Sequence, residues 1–492
     1  MSKLYVFGIG GTGSRVIKSL VMLLASGVKL DSKYSQVIPI LIDPDTGNGD
    51  LNRTKEILAL YQQIRNDIEE PNDFFGQQVG TINEIATNST AVSPNFFQFK
   101  LSEVDDSKFG EYIGYDSLSS DYSKFQDDKS FVKLFYSGAN LDSGLEEGFK
   151  GNPNMGSIVL NQFTESQDFK NFLTTFQQGD EIFIINSIFG GTGAAGFPLL
   201  LKVLRSSESV LIRQCKIGGL TLLPYFALAE KGEINSETFA EKAKAALEYY
   251  NRTIINGNEI DYLYFLGNKS SINIEEYSVG GVEQKNKAHF LEMAGSLAII
   301  DFGLADSNAR TGKTIVKEFG IEKDTDEIDF SVLNVNNLKQ IDKPLVKFKL
   351  FTNYLNLGLI KALNVSRWTL SNIKGVSNNQ QSLTDQNYFN SPKYNTQIIS
   401  FTNFFDEWLQ EMDKNTPSFS PFNEEVQLSN AMEFVKDRKP KGNLNFTKID
   451  QENSKNVADP KYRSDKKVHT ALIKLFGTAT EKVVLSSDIV NK

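Results

Sequence analysis

The sequence predicts an α/β fold built on a parallel sheet, and three observations carry that prediction. Apolar runs of strand length recur at Leu4–Phe7, Val37–Ile42, Glu181–Asn186, Ile217–Leu223 and Asp261–Leu266. Helix-forming stretches separate them, the alternation expected when parallel strands are joined by crossover helices. Two of the runs end in glycine-rich turns that lead into apolar helical stretches: GIGGTG at 8–13 and GGTGAAG at 190–196. Ligands of such sheets sit at the strand C-terminal ends. There a glycine turn can aim backbone N–H groups at an anion, and a helix start adds positive partial charge.

Composition narrows the class. At 492 residues the chain is too long for one compact core, so two or more domains are expected. Hydrophobic residues at 40% and charged residues at 23% describe an ordinary globular protein. A net charge of -9 with a pI near 5.2 argues against nucleic acid as a direct ligand. One cysteine, Cys215, and two histidines, His289 and His469, leave no material for a disulfide framework, a cysteine-based zinc cluster or a His-rich metal site. The metal expectation is therefore none from side chains alone. The single cysteine fits a reducing cytoplasm, and the start MSKLYVFGIGGTGS enters a strand without a basic leader or cleavage site. The apolar tract Val16–Val28 is interrupted by Lys18, Ser19, Ser26 and Gly27 and is too short for a membrane span. The expected location is cytoplasmic.

Taken in order, Leu4–Phe7 reads as a buried strand. It is followed by glycines at 8, 10 and 13, the G-x-G-x-x-G spacing, and by a helix from Ser14 to about Ser26. That spacing is shared by dinucleotide oxidoreductases, adenylating enzymes and plain tight turns. The second strand ends at Asp43-Pro44-Asp45. Asp43 has three readings: a ribose acceptor, a group reaching phosphate-bound Mg²⁺ through water, or part of an Asp-rich turn. Residues 52–130 read as a polar insertion that opens with a helix from Arg53 to about Asp67. The cluster Gly151-Asn152-Pro153-Asn154-Met155-Gly156 precedes a helix from Ser157 to about Gln177, and Gly179 is its stop signal. Glu237–Asn251 is a helix of strong formers, and Gln284–Phe302 a long apolar one. Beyond it, strands at Ile328–Val335 and Leu345–Phe351 mix with helices at Tyr354–Leu363 and Phe404–Met412, giving a second α+β domain. Residues 437–467 form a polar segment with basic groups.

Two glycine loops separated by most of a domain do not fit a dehydrogenase, which uses one. The pair resembles the tubulin/FtsZ superfamily, in a divergent prokaryotic branch. GIGGTGSRV is similar to that family's first nucleotide loop. GNPNMG, a helix, GDEIFIIN and GGTGAAGFPLLLKVL follow in the family's order, and LTLLPYFALAEKG, IDYLYFLGN and the long helix continue it. The resemblance covers about residues 1–310. It implies a GTP-binding domain over 1–283, a central helix over 284–302 and a C-terminal domain over 303–492.

The resemblance also implies roles for particular residues. Gly10, Gly11 and Thr12 would wrap the phosphates of GTP or GDP from one side, and Gly190, Gly191, Thr192 and Gly193 from the other. Gly151, Asn152 and Gly156 would sense the γ-phosphate. Glu230 would meet the ribose, Asn268 the nucleotide, and Asn286 the guanine edge; its bland alternative is a polar helix position facing solvent. Backbone amides rather than a lysine would neutralise the triphosphate, with Mg²⁺ as a further candidate. Hydrolysis in the family needs an acid from a neighbouring subunit. Here the family's asparagine–aspartate pattern is absent, and Asp306 is the first choice in trans, Asp301 the second. The implied partner is the chain itself, in an oligomer or filament, with a further protein partner possible for the C-terminal domain. One rival motif, Arg310-Thr311-Gly312-Lys313-Thr314, ends like a P-loop, but Ser307 stands where the first glycine is required and the run follows a helix.

Overall fold

The computed structural model describes residues 2–69, 73–86, 97–99, 101, 107–119, 127–145, 148–149, 151–228, 239–268, 272–274, 281–305, 310, 312–318, 325–333, 335–363, 365–369, 386–423, 426–441, 445–457 and 469–490. Its centre is one all-parallel sheet of seven strands: β1 (Ser2–Ile9), β2 (Tyr34–Ile42), β3 (Gln78–Val79), β4 (Glu181–Ser187), β5 (Ile217–Leu222), β6 (Tyr262–Leu266) and β7 (Ile315–Glu318). Their spatial order is β3-β2-β1-β4-β5-β6-β7. The order runs outward in both directions from the β1–β4 pair, so the crevice beyond these two strand ends is a topological switch point. In register, Gly8 lies opposite both Leu41 and Ile185.

Helices cover both faces. Helix α1 (Gly10–Ser26) begins inside the first glycine run, four residues before the expected start at Ser14. The turn is therefore the helix's own first turn. Two glycines make this possible. Gly10 has φ +75°, and a Cβ on Gly13 would stand 2.6 Å from the carbonyl carbon of Gly8. Helix α2 (Gly49–Asn66) packs on α1, and β3 pairs with β2, so the first part of the 52–130 stretch is built into the sheet layer.

The expected helix over 157–177 is two helices, α3 (Pro153–Leu160) and α4 (Gln167–Thr175), because Ser166 accepts from the Phe169 amide and starts a new one. Helix α5 (Gly191–Arg205) follows β4, and α6 (Phe239–Tyr249) lies within the span expected for it. The central helix α7 (Phe290–Leu304) begins six residues later than expected. His289 caps it: the ring Nδ1 accepts from the Leu291 amide, and Glu292 accepts from the His289 amide. Apolar all round, α7 is buried between sheet and α1, with Ser296 Oγ donating to the Val16 carbonyl at 3.0 Å.

Beyond α7 the described residues are mostly helical: α8 (Val335–Asn353), α9 (Ser400–Asp413), α10 (Phe446–Asn456) and α11 (Thr470–Ser487). The strand expected at Leu345–Phe351 lies inside α8, where Leu345, Val346, Phe348, Leu350 and Phe351 are all buried. A helix buried on several sides shows a continuous apolar run, which mimics a buried strand. Of Ile328–Val335, only Ile328 is in a strand, in the short parallel pair Glu327–Ile328 with Ser418–Phe419. Helix α9 meets the sheet domain through Trp408, whose indole N–H donates to Ser19 Oγ at 3.1 Å. No described helix is long and apolar enough to cross a membrane.

Candidate nucleotide site

An open cleft lies across the C-terminal ends of β1, β2 and β4. Its lining includes Gly10, Gly11 and Thr12, Asp43 and Asp45, Gly148, Phe149 and Gly151, Ser187, Gly190 to Gly193, and Gln284 with Asn286. Segments about 180 residues apart in sequence thus face one space. A Cβ on Gly10 would be 3.5 Å from the Thr192 Cβ, and one on Gly148 would be 4.0 Å from its Oγ1. Thr192 therefore stands between the first glycine loop and the 148–151 segment.

Two helices of 17 and 15 residues begin here, α1 after Ile9 and α5 after Gly190. Neither N-terminus has a side-chain cap, and neither carries an acid in its first turn. Most helix starts satisfy their orphan amides with a Ser, Thr, Asp or Asn side chain. Two uncapped starts pointing into one cleft make an anion site of aligned amides and dipoles.

The wall behind the amides is charged, and it rests on Arg15. The guanidinium is buried; Nε lies 2.5 Å from Glu292 Oε1, Nη1 2.9 Å from Asp50 Oδ2, and Nη2 2.9 Å from the Tyr225 hydroxyl. Burial works against the Arg15 charge, but Tyr225, Glu292 and Asp50 outweigh it and hold the group well above its ordinary range. For Glu292, burial is likewise outweighed by Arg15 and Lys18, and the carboxyl is held below its usual range. Asp50 accepts from the Asn286 amide and side chain at 3.0 and 2.8 Å. Asn48, the α2 cap, donates to Gln284. Loop, α2, the strap Gln284–His289 and α7 are thus one hydrogen-bonded unit around a single cation. At the end of β2, burial first and the charge of Asp45 second push the Asp43 carboxyl up to about 8.

The structure brings together Gly10, Gly11, Thr12, Asp43, Gly151, Gly190, Gly191, Thr192, Gly193 and Asn286. Asn286 lies in the extended strap before α7, not on the helix as expected. Asn152, Gly156 and Asn268 do not line the cleft. Asn152 stands at the start of α3 without a side-chain capping bond, and Gly156 lets α3 pack on α5, since a Cβ there would be 2.8 Å from the Ala195 Cβ. Glu230 and Asp306 lie outside the described residues. Asp301 sits near the opposite end of α7, where its Oδ2 accepts from the Tyr264 hydroxyl at 2.6 Å and pairs with Lys317 at 2.5 Å. Of the P-loop-like run, Gly312 to Thr314 immediately precede β7, away from the cleft, and Thr314 Oγ1 donates to the Ile260 carbonyl; Thr311 lies outside the described residues.

Sequence reading missed Arg15, Asp50 and Glu292. A signal was present: Arg15 and Glu292 are charges set near the starts of largely apolar helices, and they are each other's partners.

Fold and cleft together define a parallel α/β protein with a glycine-lined crevice at its switch point. No family model matches the chain, and no curated protein does. Among solved structures it is similar to CetZ1 from Haloferax volcanii, solved as a GDP-bound monomer. Identity is 14%, 62% of each chain is covered and the TM-score is 0.30. It is also similar to CetZ2 from Haloferax volcanii, solved as a GTPγS-bound protofilament, at 14% identity, 62% of this chain and 61% of that one, and TM-score 0.29. Both are tubulin/FtsZ-like proteins, and the match spans less than two thirds of their length.

Proposed function

We propose that this chain is a divergent tubulin/FtsZ-like guanine-nucleotide-binding protein that self-associates into filaments, with GTP hydrolysis completed at the subunit contact. The observation that carries the binding half is the pair of uncapped helix starts, α1 and α5, facing one cleft. A dehydrogenase-like or adenylating enzyme would need only the first. The preference for guanine rests on the sequence resemblance and on Asn286, which lines the cleft with its Nδ2 held by Asp50. Mg²⁺ fits the Asp43–Asp45 turn at the end of β2. Asp43 and Asp45 are two buried carboxylates whose crowding a divalent cation would relieve, and the phosphates would complete its shell. Bound there, it would screen the phosphate charge.

One observation favours a second reading, a nucleotide-binding scaffold without turnover: the Asp301 carboxylate is already engaged by Lys317 and Tyr264. That leaves Asp306 as the acid for hydrolysis. The deciding measurement is identification of the nucleotide released on denaturing the purified protein, followed by light scattering with GTP, GDP and ATP. Guanine nucleotide and GTP-dependent scattering are expected; adenine nucleotide without a guanine preference overturns the reading. Asp306→Ala should lose turnover and keep GTP affinity, and unchanged turnover removes it from the mechanism.

A further inference from the structure

We infer that a cavity at the C-terminal end of α9 is a second ligand site, for a small aromatic zwitterion, and that its occupancy is linked to the cleft. The linkage, but not the site, rests on the nucleotide binding proposed above. The cavity measures about 260 Å³ and lies between α9, Lys349 of α8 and the segment Phe419–Asn423. Its apolar lining includes Leu409, Phe419 and Phe422, all buried. Phe330 packs edge-on against both rings, with ring centres 6.3 and 5.6 Å away. An apolar cavity of about 150 Å³ holds benzene, so this volume takes a fused ring pair. The charged lining divides in two. Asp406 accepts from Lys349 Nζ at 2.8 Å and from Thr352 Oγ1 at 3.2 Å, a pair closed within the chain. Asp413 accepts from the neutral Ser418 hydroxyl at 2.9 Å, and Lys414 has no side-chain partner among the described residues. One carboxylate and one ammonium beside a ring-sized hollow suit a ligand that carries both charges and a ring, of the aromatic amino-acid type.

The cavity and the cleft share the start of α7. Phe419 stacks on Phe290, the first residue of α7, with ring centres 5.6 Å apart. The end of α9 and the turn after it also grip the strap before α7. Glu411 Oε2 accepts from the Ala288 amide at 2.8 Å, Asn415 Nδ2 donates to the Ala288 carbonyl at 2.6 Å, and His289 Nε2 meets the Thr416 carbonyl at 3.2 Å. Asn286 of the same strap lines the cleft, and Glu292, two residues beyond Phe290, holds Arg15. A ring seated on Leu409 and Phe419 presses the end of α9 against the strap and α7. It therefore supports the arrangement that presents Asn286 to the cleft. The coupling is reciprocal: each ligand tightens the other by the same factor.

The test is calorimetry on the full chain with tryptophan as the zwitterionic probe, and indole, indole-3-acetate and tryptamine as probes lacking one or both charges. Tryptophan should bind with a Kd below about 1 mM, at least about fivefold tighter than each of the others. Lys414→Glu, at an exposed position where the fold should tolerate it, should weaken tryptophan about tenfold. GTP affinity should rise about fivefold when tryptophan is saturating. No binding by any probe overturns the site. A single-charge probe that binds as well as tryptophan, or a Lys414→Glu variant that binds it normally, overturns the zwitterion. GTP affinity that ignores tryptophan overturns the linkage. A wild type that binds tryptophan and no nucleotide overturns the linkage and the nucleotide reading but supports this site.

Discussion

Where the strands of the sheet begin, buried charges meet within the chain: Lys3 with Asp180 at 2.9 Å, Lys33 and Lys216 with Glu181 at 2.9 and 3.4 Å, and Arg205 with Asp261 at 3.0 Å. Lys216 also donates to the Phe302 and Ala305 carbonyls, closing the C-terminal end of α7 with a cation. Where the strands end, glycine replaces side chains and two helix starts carry no cap. One end of the sheet satisfies its charges within the chain, and the other leaves two helix starts uncapped. The difference separates an end built for stability from the end where the proposed ligand would bind. Substitutions should therefore separate the two.

The largest effect is expected at the strand starts. Lys216→Met strips Glu181 of one cation and leaves the last carbonyls of α7 without their donor. Breaking a buried pair from one side costs about 3–5 kcal/mol, and urea unfolding should register it. GTP affinity should stay within about twofold, since the cleft is at the other end of the strands. A joint loss of affinity would show that α7 couples the two ends.

The second test lies outside both ends, at His469, the N-cap of α11. Its Nδ1 meets the Tyr388 hydroxyl at 2.9 Å and its Nε2 the Gln397 side chain at 2.7 Å, with Asp67 at 3.9 Å. Burial pushes the ring down to about 4, with Lys393 adding to the shift and Asp67 opposing it. The folded chain thus prefers the neutral ring more than the unfolded chain does, whose histidine titrates near 6.5. This stability is fully present above about pH 6.5 and is lost as pH falls through about 4. Melting of the wild type across that window should fall more steeply than that of His469→Gln, by about 3 kcal/mol at the acid end. Parallel curves would remove His469 from the acid response.

Much of this was legible in the sequence, for a physical reason. Strands β1, β2, β4, β5 and β6 are charge-poor runs bounded by turns, and a parallel strand covered on both faces has no other appearance. The glycine loops were legible because close approach leaves no choice of residue: a Cβ on Gly13 has nowhere to go. The strap Gln284–His289 was not, because QKNKAH carries no helix-breaking residue and its extended form is imposed by Asp50, Glu411 and the His289 cap. The helix α8 was misread because its burial erases the polar face that would have shown a helical period. The Arg15 cluster spans 277 residues between Arg15 and Glu292, a separation that local pattern cannot bridge.

Within the cleft, the glycine loop can be divided residue by residue. Gly10→Ala forces a side chain into φ +75° and should cost about 1 kcal/mol in stability along with affinity, read by paired melting and binding curves. An affinity loss no larger than the stability loss would mean that Gly10 serves the turn alone.

Gly11→Ala should have the smallest effect on the fold and is the sharpest probe of the comparison. Its Cβ would meet Arg15 Nη1 at 3.6 Å and Asn48 Nδ2 at 3.8 Å, ordinary contact distances. Stability should therefore change by less than about 0.5 kcal/mol. The added methyl would nevertheless stand over the uncapped start of α1, among residues that line the cleft. A phosphate that depends on those amides would be held off by about one methyl radius, and triphosphate affinity should fall about tenfold, a 1.4 kcal/mol effect. Loss of binding in a fully stable protein would assign the α1 amides to the ligand. Unchanged binding would leave α5 as the phosphate-binding helix and reduce the first glycine run to a device for packing α1 against β1.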